Sequence, residues 1–143
     1  MIDFQVLVNT THSVAFLETI TPRIRAELRK HITRLILEMQ REVQRNKLIG
    51  GHPLHKRSGD LFRSIHYKIS DTPLGIIGRL YSGKEVAHYS FVHEYGGTFS
   101  RRGGGTVTYP MRSFMRSTLS EYREDFRAAI KGALETAHSH RAL

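Results

Sequence analysis

The chain has no cysteine and no tryptophan, only four prolines, and fewer acids than bases. Without cysteine there can be no disulfide framework and no thiolate metal site. No apolar run approaches the length of a membrane span, and the start, Met1-Ile2-Asp3-Phe4, lacks the basic-then-apolar pattern of a secretory signal. The reading is therefore a soluble protein with no cleaved signal and no membrane partner. The shortage of acids leaves a formal net charge of +9 over 143 residues and a pI near 10.3. The cations are mostly arginine, which pairs bidentately with carboxylates and phosphates and is common at protein interfaces. This charge fits both nucleic acid and acidic protein surfaces, and excludes only an inert exterior.

What is present is periodic. The length suits one domain, 1–143, with one core. Residues 2–8 alternate Ile2, Phe4, Val6 and Val8 with other side chains, as a half-buried strand does. Ile20, Ile24, Leu28, Ile32, Leu35, Ile36, Met39 and Val43 recur every three or four residues, the mark of an amphipathic helix that starts at Thr21-Pro22. Its other face carries Arg23, Arg25, Arg29, Lys30, Arg34, Arg41 and Arg45. Either it is a solvated helix surface or it faces a partner, and Arg23, Arg29, Arg34 and Arg41 are the candidate contacts. Residues 46–56, with Gly50-Gly51 and His52-Pro53, read as a loop.

Ser58 to Ile65 reads as a short helix capped by Ser58, with Asp60 in its first turn. Residues 65–70 and 74–81 read as two strands of a hairpin turning at Asp71-Thr72-Pro73. Residues 87–95 read as a helix with Phe91, Val92 and Tyr95 on one side and Gly96-Gly97 as its stop. Residues 98–105, rich in glycine and arginine, read as a mobile loop or hairpin tip, and 106–109 as a strand ending at Pro110. From Ser113, the spacing of Met115, Leu119, Tyr122, Phe126, Ile130, Ala133 and Ala137 describes a second long helix. The fold class is α+β, with two long amphipathic helices packed on one face of a small antiparallel sheet. Its strand edges invite pairing with other subunits.

The pattern points away from catalysis. His88 and His93-Glu94 lack the two-histidine spacing of a zinc protease, and His52, His55, His138 and His140 are scattered. There is no Gly-x-Ser-x-Gly turn, and Gly103-Gly104-Gly105 lacks the Lys-Ser/Thr of a phosphate loop. No catalytic residue, metal ligand or cofactor is assigned.

Three segments in order resemble one family. Arg57-Ser58-Gly59-Asp60-Leu61-Phe62-Arg63-Ser64-Ile65 is similar to the R-[ST]-G-x-L-x-x-S-I segment of small phage tail-completion proteins. Residues 87–97, ending Glu94-Tyr95-Gly96, are similar to their Y-A-x-x-x-E-[FY]-G helix end. Tyr109-Pro110-Met111-Arg112-Ser113-Phe114-Met115 is similar to their P-x-R-P-F-[LM] entry to the last helix, with Ser113 where proline is usual. The resemblance spans residues 21–137. The family includes minor tail protein Z of lambda-like phages and the virion-morphogenesis proteins of Mu-like phages. It implies a structural virion protein, assembled in the bacterial cytoplasm and located at the neck. There such proteins form a ring, often six-fold, that completes the tail for joining to the head. The implied partners are further copies, head-connector proteins, and tail-terminator or tail-tube proteins, with DNA passing through the channel. The motif residues so marked are Arg57, Ser58, Gly59, Leu61, Glu94, Gly96, Pro110, Arg112 and Phe114. The alternative is a nucleic-acid-binding protein that uses the basic helix and the arginine-rich loop.

Within these motifs Glu94 and Arg112 are expected to meet as an ion pair, and Phe114, Phe91 and Leu61 to lie in the core. Arg101 and Arg102, flanked by glycine, are expected to contact a partner or phosphates.

Overall fold

The computed structural model describes residues 3–7, 22–48, 59–73 and 75–139 of the chain. The expected cap Thr21 and the motif residues Arg57 and Ser58 lie outside this set. Strand β1 (Asp3–Leu7) is followed by helix α1 (Pro22–Glu42), which continues as a wider π-helical turn over Val43–Lys47. Then come α2 (Asp60–Arg63), β2 (Ile65–Thr72), β3 (Gly75–Ser82) and a 3₁₀ turn at Lys84–Val86. Helix α3 (Ala87–Tyr95), strands β4 (Gly97–Ser100) and β5 (Thr106–Tyr109), and helices α4 (Met115–Glu121) and α5 (Arg123–Ser139) complete the order. The class is α+β, as the periodicity predicts.

Helix α1 forms because its apolar stripe has somewhere to go. Leu28, Ile32, Leu35, Ile36, Met39 and Val43 are all buried, and Ile24 packs at the margin of the same core. Proline at the first helical position costs nothing, since that N–H has no partner within the helix. The helical chain runs through Asn46 and Lys47, the first residues of the expected loop at 46–56, whose residues 49–56 lie outside the described residues. Leu48 N–H donates to the Val43 carbonyl at 3.1 Å, and the Leu48 side chain is buried in the core.

Two antiparallel sheets are present among the described residues. In the first, β3 is central and pairs with β2 on one side and β1 on the other. Ile65 opposite Ser82 and Thr72 opposite Gly75 fix the β2–β3 hairpin register, so Asp71 and Thr72 extend the strand where a turn is expected. Helix α1 packs on β2 and β3, and α5 packs along α1. The contact with β3 is close. A Cβ on Gly78 would stand 2.8 Å from Ile36 Cγ1 and 3.1 Å from Ile32 Cγ2. The second sheet is the β4–β5 hairpin, from Gly97 opposite Tyr109 to Ser100 opposite Thr106.

Helix α1 also holds its neighbours by polar contacts. Gln40 Nε2 donates to the Ile65 carbonyl at 2.7 Å, and Gln44 Nε2 to the Phe62 carbonyl at 3.0 Å. Both bonds pin the α2–β2 connection. Arg25 donates to the Thr72 carbonyl at 3.0 Å, and Arg29 pairs with Asp71. The single long helix expected from Ser113 is instead two. Tyr122, at φ −86° and ψ 0°, sits at the edge of the right-handed helical region between α4 and α5. The ladder still runs through it, because Tyr122 N–H bonds to the Thr118 carbonyl and Phe126 N–H to the Tyr122 carbonyl.

Candidate functional site

The residues marked by the second and third motifs meet where α3 ends and α4 begins. Val92 N-terminal to the stop accepts the Gly96 N–H at 2.8 Å, which closes α3. Gly96 then takes φ +65° and ψ −167°, a backbone region open essentially to glycine alone. Space also demands glycine there: a Cβ would lie 2.6 Å from Met111 N and 2.9 Å from the Tyr109 carbonyl oxygen. The chain makes the β4–β5 hairpin and returns, and Arg112 N–H donates to the His93 carbonyl at 2.8 Å.

Glu94 lies at the centre of this junction and is fully buried. Its Oε2 accepts the backbone N–H groups of Phe114 at 2.9 Å and Met115 at 3.0 Å. Its Oε1 accepts the Arg116 N–H at 3.0 Å and the Ser113 hydroxyl at 2.7 Å. The first N–H groups of a helix have no partner inside it and carry partial positive charge. Here one carboxylate, 20 residues upstream of Phe114, supplies the missing cap for α4. Arg116 adds Nε to Oε1 at 3.2 Å and Nη2 to the Glu94 main-chain carbonyl at 3.3 Å. Burial works to raise the Glu94 pKa, but the Met115, Ser113, Arg116 and Phe114 bonds outweigh it and hold the carboxyl below its ordinary value.

This corrects the expected Glu94–Arg112 pair. Arg112 precedes the helix and turns its exposed side chain outward, contributing only its backbone N–H. Arg116 lies in the first turn of α4, on the side that faces Glu94. Ser113, where the family pattern has proline, is the hydroxyl donor to the buried carboxylate. Phe91 is a second correction. It is 47% exposed and stacks on Tyr95, also exposed, at 4.9 Å between ring centres. The two rings are four residues apart on the outer face of α3, and Ser90, Val92, His93 and Glu94 are its buried residues. Phe114 is fully buried in the core as expected, and Leu61 is partly buried against it.

The outside of the junction carries a run of exposed aromatic and sulfur-bearing side chains: Tyr89, Phe91, Tyr95, Tyr109 and Met111. The Arg116 guanidinium lies 4.6 Å over the Tyr95 ring and donates to Met111 Sδ at 3.4 Å. Tyr89 meets the His93 ring edge-on at 4.3 Å, and His93 in turn lies near Tyr109. Pro110 is exposed beside them. Arg101 and Arg102 stand exposed at the hairpin tip, with Arg101 N–H bonded to the Gly105 carbonyl and Gly104 N–H to the Arg101 carbonyl.

The basic residues of α1 divide by position. At about 100° per residue, Arg23, Lys30, Arg34 and Arg41 share one exposed stripe, continued by Arg45 in the π-helical turn. Arg29 falls off that stripe and is taken up by Asp71; Arg34 is partly offset by Glu38 at 3.8 Å. Gly59 enters α2 at φ +83°, the left-handed region, and supplies the cap position expected of Ser58. The structure thus joins Glu94, Gly96, Pro110, Arg112 and Phe114 in one place. It leaves Leu61 under the core, and Arg23, Arg29, Arg34 and Arg41 along α1. Of the side-chain partners of Glu94, Ser113 was marked from sequence only as a departure from the family's proline, and Arg116 was not singled out. The available signal was position in the first turn of a helix whose start Phe114 marks.

Among the described residues no group of three or more histidine or acidic side chains could hold a metal ion, and no helix is long and apolar enough to cross a membrane. No family model, curated protein or solved structure matches the chain.

Proposed function

We propose that the chain is a structural subunit of the neck of a tailed bacteriophage. In this reading it is a tail-completion protein that forms a ring at the head–tail junction, in contact with head-connector and tail-terminator or tail-tube proteins. The observation that carries the reading is the junction at Glu94. The second and third motifs of the tail-completion resemblance, separated in sequence by the hairpin, interlock there through one buried carboxylate. That gives the glutamate, the glycine and the apolar helix entry of those motifs a shared physical reason.

The finer arrangement, with both long helices on one face of the sheet, belongs to the same reading. Among the described residues it leaves the outer borders of β1 and β2 for pairing with neighbours. A ring requires two different complementary patches on each copy, and a sheet border with a helix face on the same subunit can supply them. Disrupting the gene in the phage that encodes it tests the reading. The expected outcome is full heads and finished tails that do not join. Normal infectious particles would refute it.

A second reading is favoured by the stripe of Arg23, Lys30, Arg34 and Arg41, which runs about 27 Å along α1 at 1.5 Å per residue and is continued by Arg45 in the π-helical turn. Here the free protein binds nucleic acid through phosphates. A steep fall in DNA affinity with salt, lost when Arg23 and Arg41 become glutamine, would favour it over the first.

A further inference from the structure

We propose that the outer face of the α3–hairpin–α4 junction is a docking surface for a different protein, one that presents an acidic rim around an apolar centre. The inference deepens the assembly reading, on which it rests for the existence of a neighbour, and adds which face is used and what that neighbour must look like.

Composition separates this face from the rest of the surface. Phe91, Tyr95 and Met111 are linked through the Arg116 guanidinium, and Met111 is 62% exposed. Tyr89 and Tyr109, which both lie near His93, are exposed as well. Aromatic residues, methionine and arginine are enriched in the centres of protein interfaces, where lysine and acids are depleted. With large side chains presenting roughly 150–250 Å² each, Phe91, Tyr95 and Met111 together offer on the order of 300 Å². That is the size of a functional patch on a monomer.

Charge selects the partner. From Val86 to Ser120 the sequence has four arginines, Arg101, Arg102, Arg112 and Arg116, and a single acid, Glu94. That acid is fully buried and occupied by the α4 cap. No exposed negative charge from this stretch answers Arg101, Arg102 and Arg112, so the partner must bring it. A second copy is a poor source. Six of the thirteen acids, Glu38, Asp60, Asp71, Glu121, Glu124 and Glu135, are already paired with this chain's own cations, and two copies would each carry +9. A single strand would answer the arginines and could stack on the rings, but Met111, the most exposed of these side chains, offers it no stacking plane. An acidic protein surface with an apolar centre answers both.

The test uses the full chain and four probes. These are an 18-residue helical peptide of glutamate and leucine, the same peptide with lysine for glutamate, one with serine for leucine, and a single-stranded oligothymidylate. The variants are Phe91→Ser/Met111→Ser, which removes exposed apolar groups only, and Arg112→Glu. Unchanged thermal midpoints establish that both are folded. The expected result is binding of the glutamate–leucine peptide, weakened about tenfold or more by either variant, a typical loss for a central contact. The lysine and serine peptides should bind at least about tenfold more weakly than the first. No binding of the glutamate–leucine peptide, or equal binding of the serine peptide, would overturn the inference. So would oligothymidylate binding, or concentration-dependent self-association, that is lost in the same variants. Absence of the chain from particles would sink the assembly reading and leave the peptide result standing. Particles that incorporate both variants normally would sink this inference alone.

Discussion

Replacing Glu94 with glutamine removes the charge and keeps the shape. The native carboxylate accepts three backbone N–H groups, one hydroxyl and one guanidinium N–H. Glutamine leaves one oxygen to accept and turns two N–H donors toward groups that also donate. A hydrogen bond to a charged acceptor contributes about 1.5–3 kcal/mol, and such terms are not additive within one cluster. Each buried donor left without its acceptor costs about 1–3 kcal/mol. Because Arg116 is 43% exposed, its share of the ion pair is discounted for solvent screening, and most of the loss falls on the α4 cap. For Glu94→Gln we expect a destabilisation of about 3–5 kcal/mol, which for a domain of this size lowers the melting midpoint by roughly 10–15 °C. Circular dichroism melts and urea titrations of wild type and variant measure it. A midpoint shift under about 3 °C would refute the claim that this carboxylate holds the junction together.

The remaining predictions follow from the same contacts. Arg112→Gln should move the midpoint by no more than surface substitutions usually do, within about 0.5 kcal/mol, because the Arg112 tie to His93 is made by its backbone. Gly96→Ala should cost at least about 2 kcal/mol, from the positive φ and from contact with Met111 N and the Tyr109 carbonyl, as read by urea denaturation. Gly78→Ala should cost about 1–3 kcal/mol by forcing β3 away from Ile36 and Ile32, again by urea denaturation. Since the folded Glu94 pKa lies below its ordinary value, its contribution is complete above the unfolded-state pKa. It is lost as pH falls through the folded one. Melts across acidic pH should therefore show the gap between wild type and Glu94→Gln closing as the solution is acidified; a constant gap would contradict this.

How much of this was legible in the sequence depends on the range of the interaction. The α1 stripe was readable residue by residue, because 3.6-residue periodicity is local and Leu28 through Val43 are buried as it predicts. The β2–β3 hairpin was readable for the same reason, though Asp71 and Thr72 stay in the ladder. The pairing of β1 with β3 was not, since it joins residues 70 or more apart and no local pattern encodes it. Phe91 shows how periodicity misleads. Its spacing from Tyr95 places both rings on one helix face, but spacing cannot say whether that face looks inward. Motif membership located Glu94 correctly and chose the wrong arginine. The choice between Arg112 and Arg116 depends on where the first turn of α4 begins, and that is set by backbone geometry around Phe114.

The most direct test of the proposed neck role is a reconstruction of the head–tail junction of tailed particles from a phage whose genome is found to carry this chain's gene. It should show density for the α1–sheet domain repeated around the neck, with the Phe91–Met111 face against a different, acidic neighbour. A neck complete without this polypeptide would contradict the account.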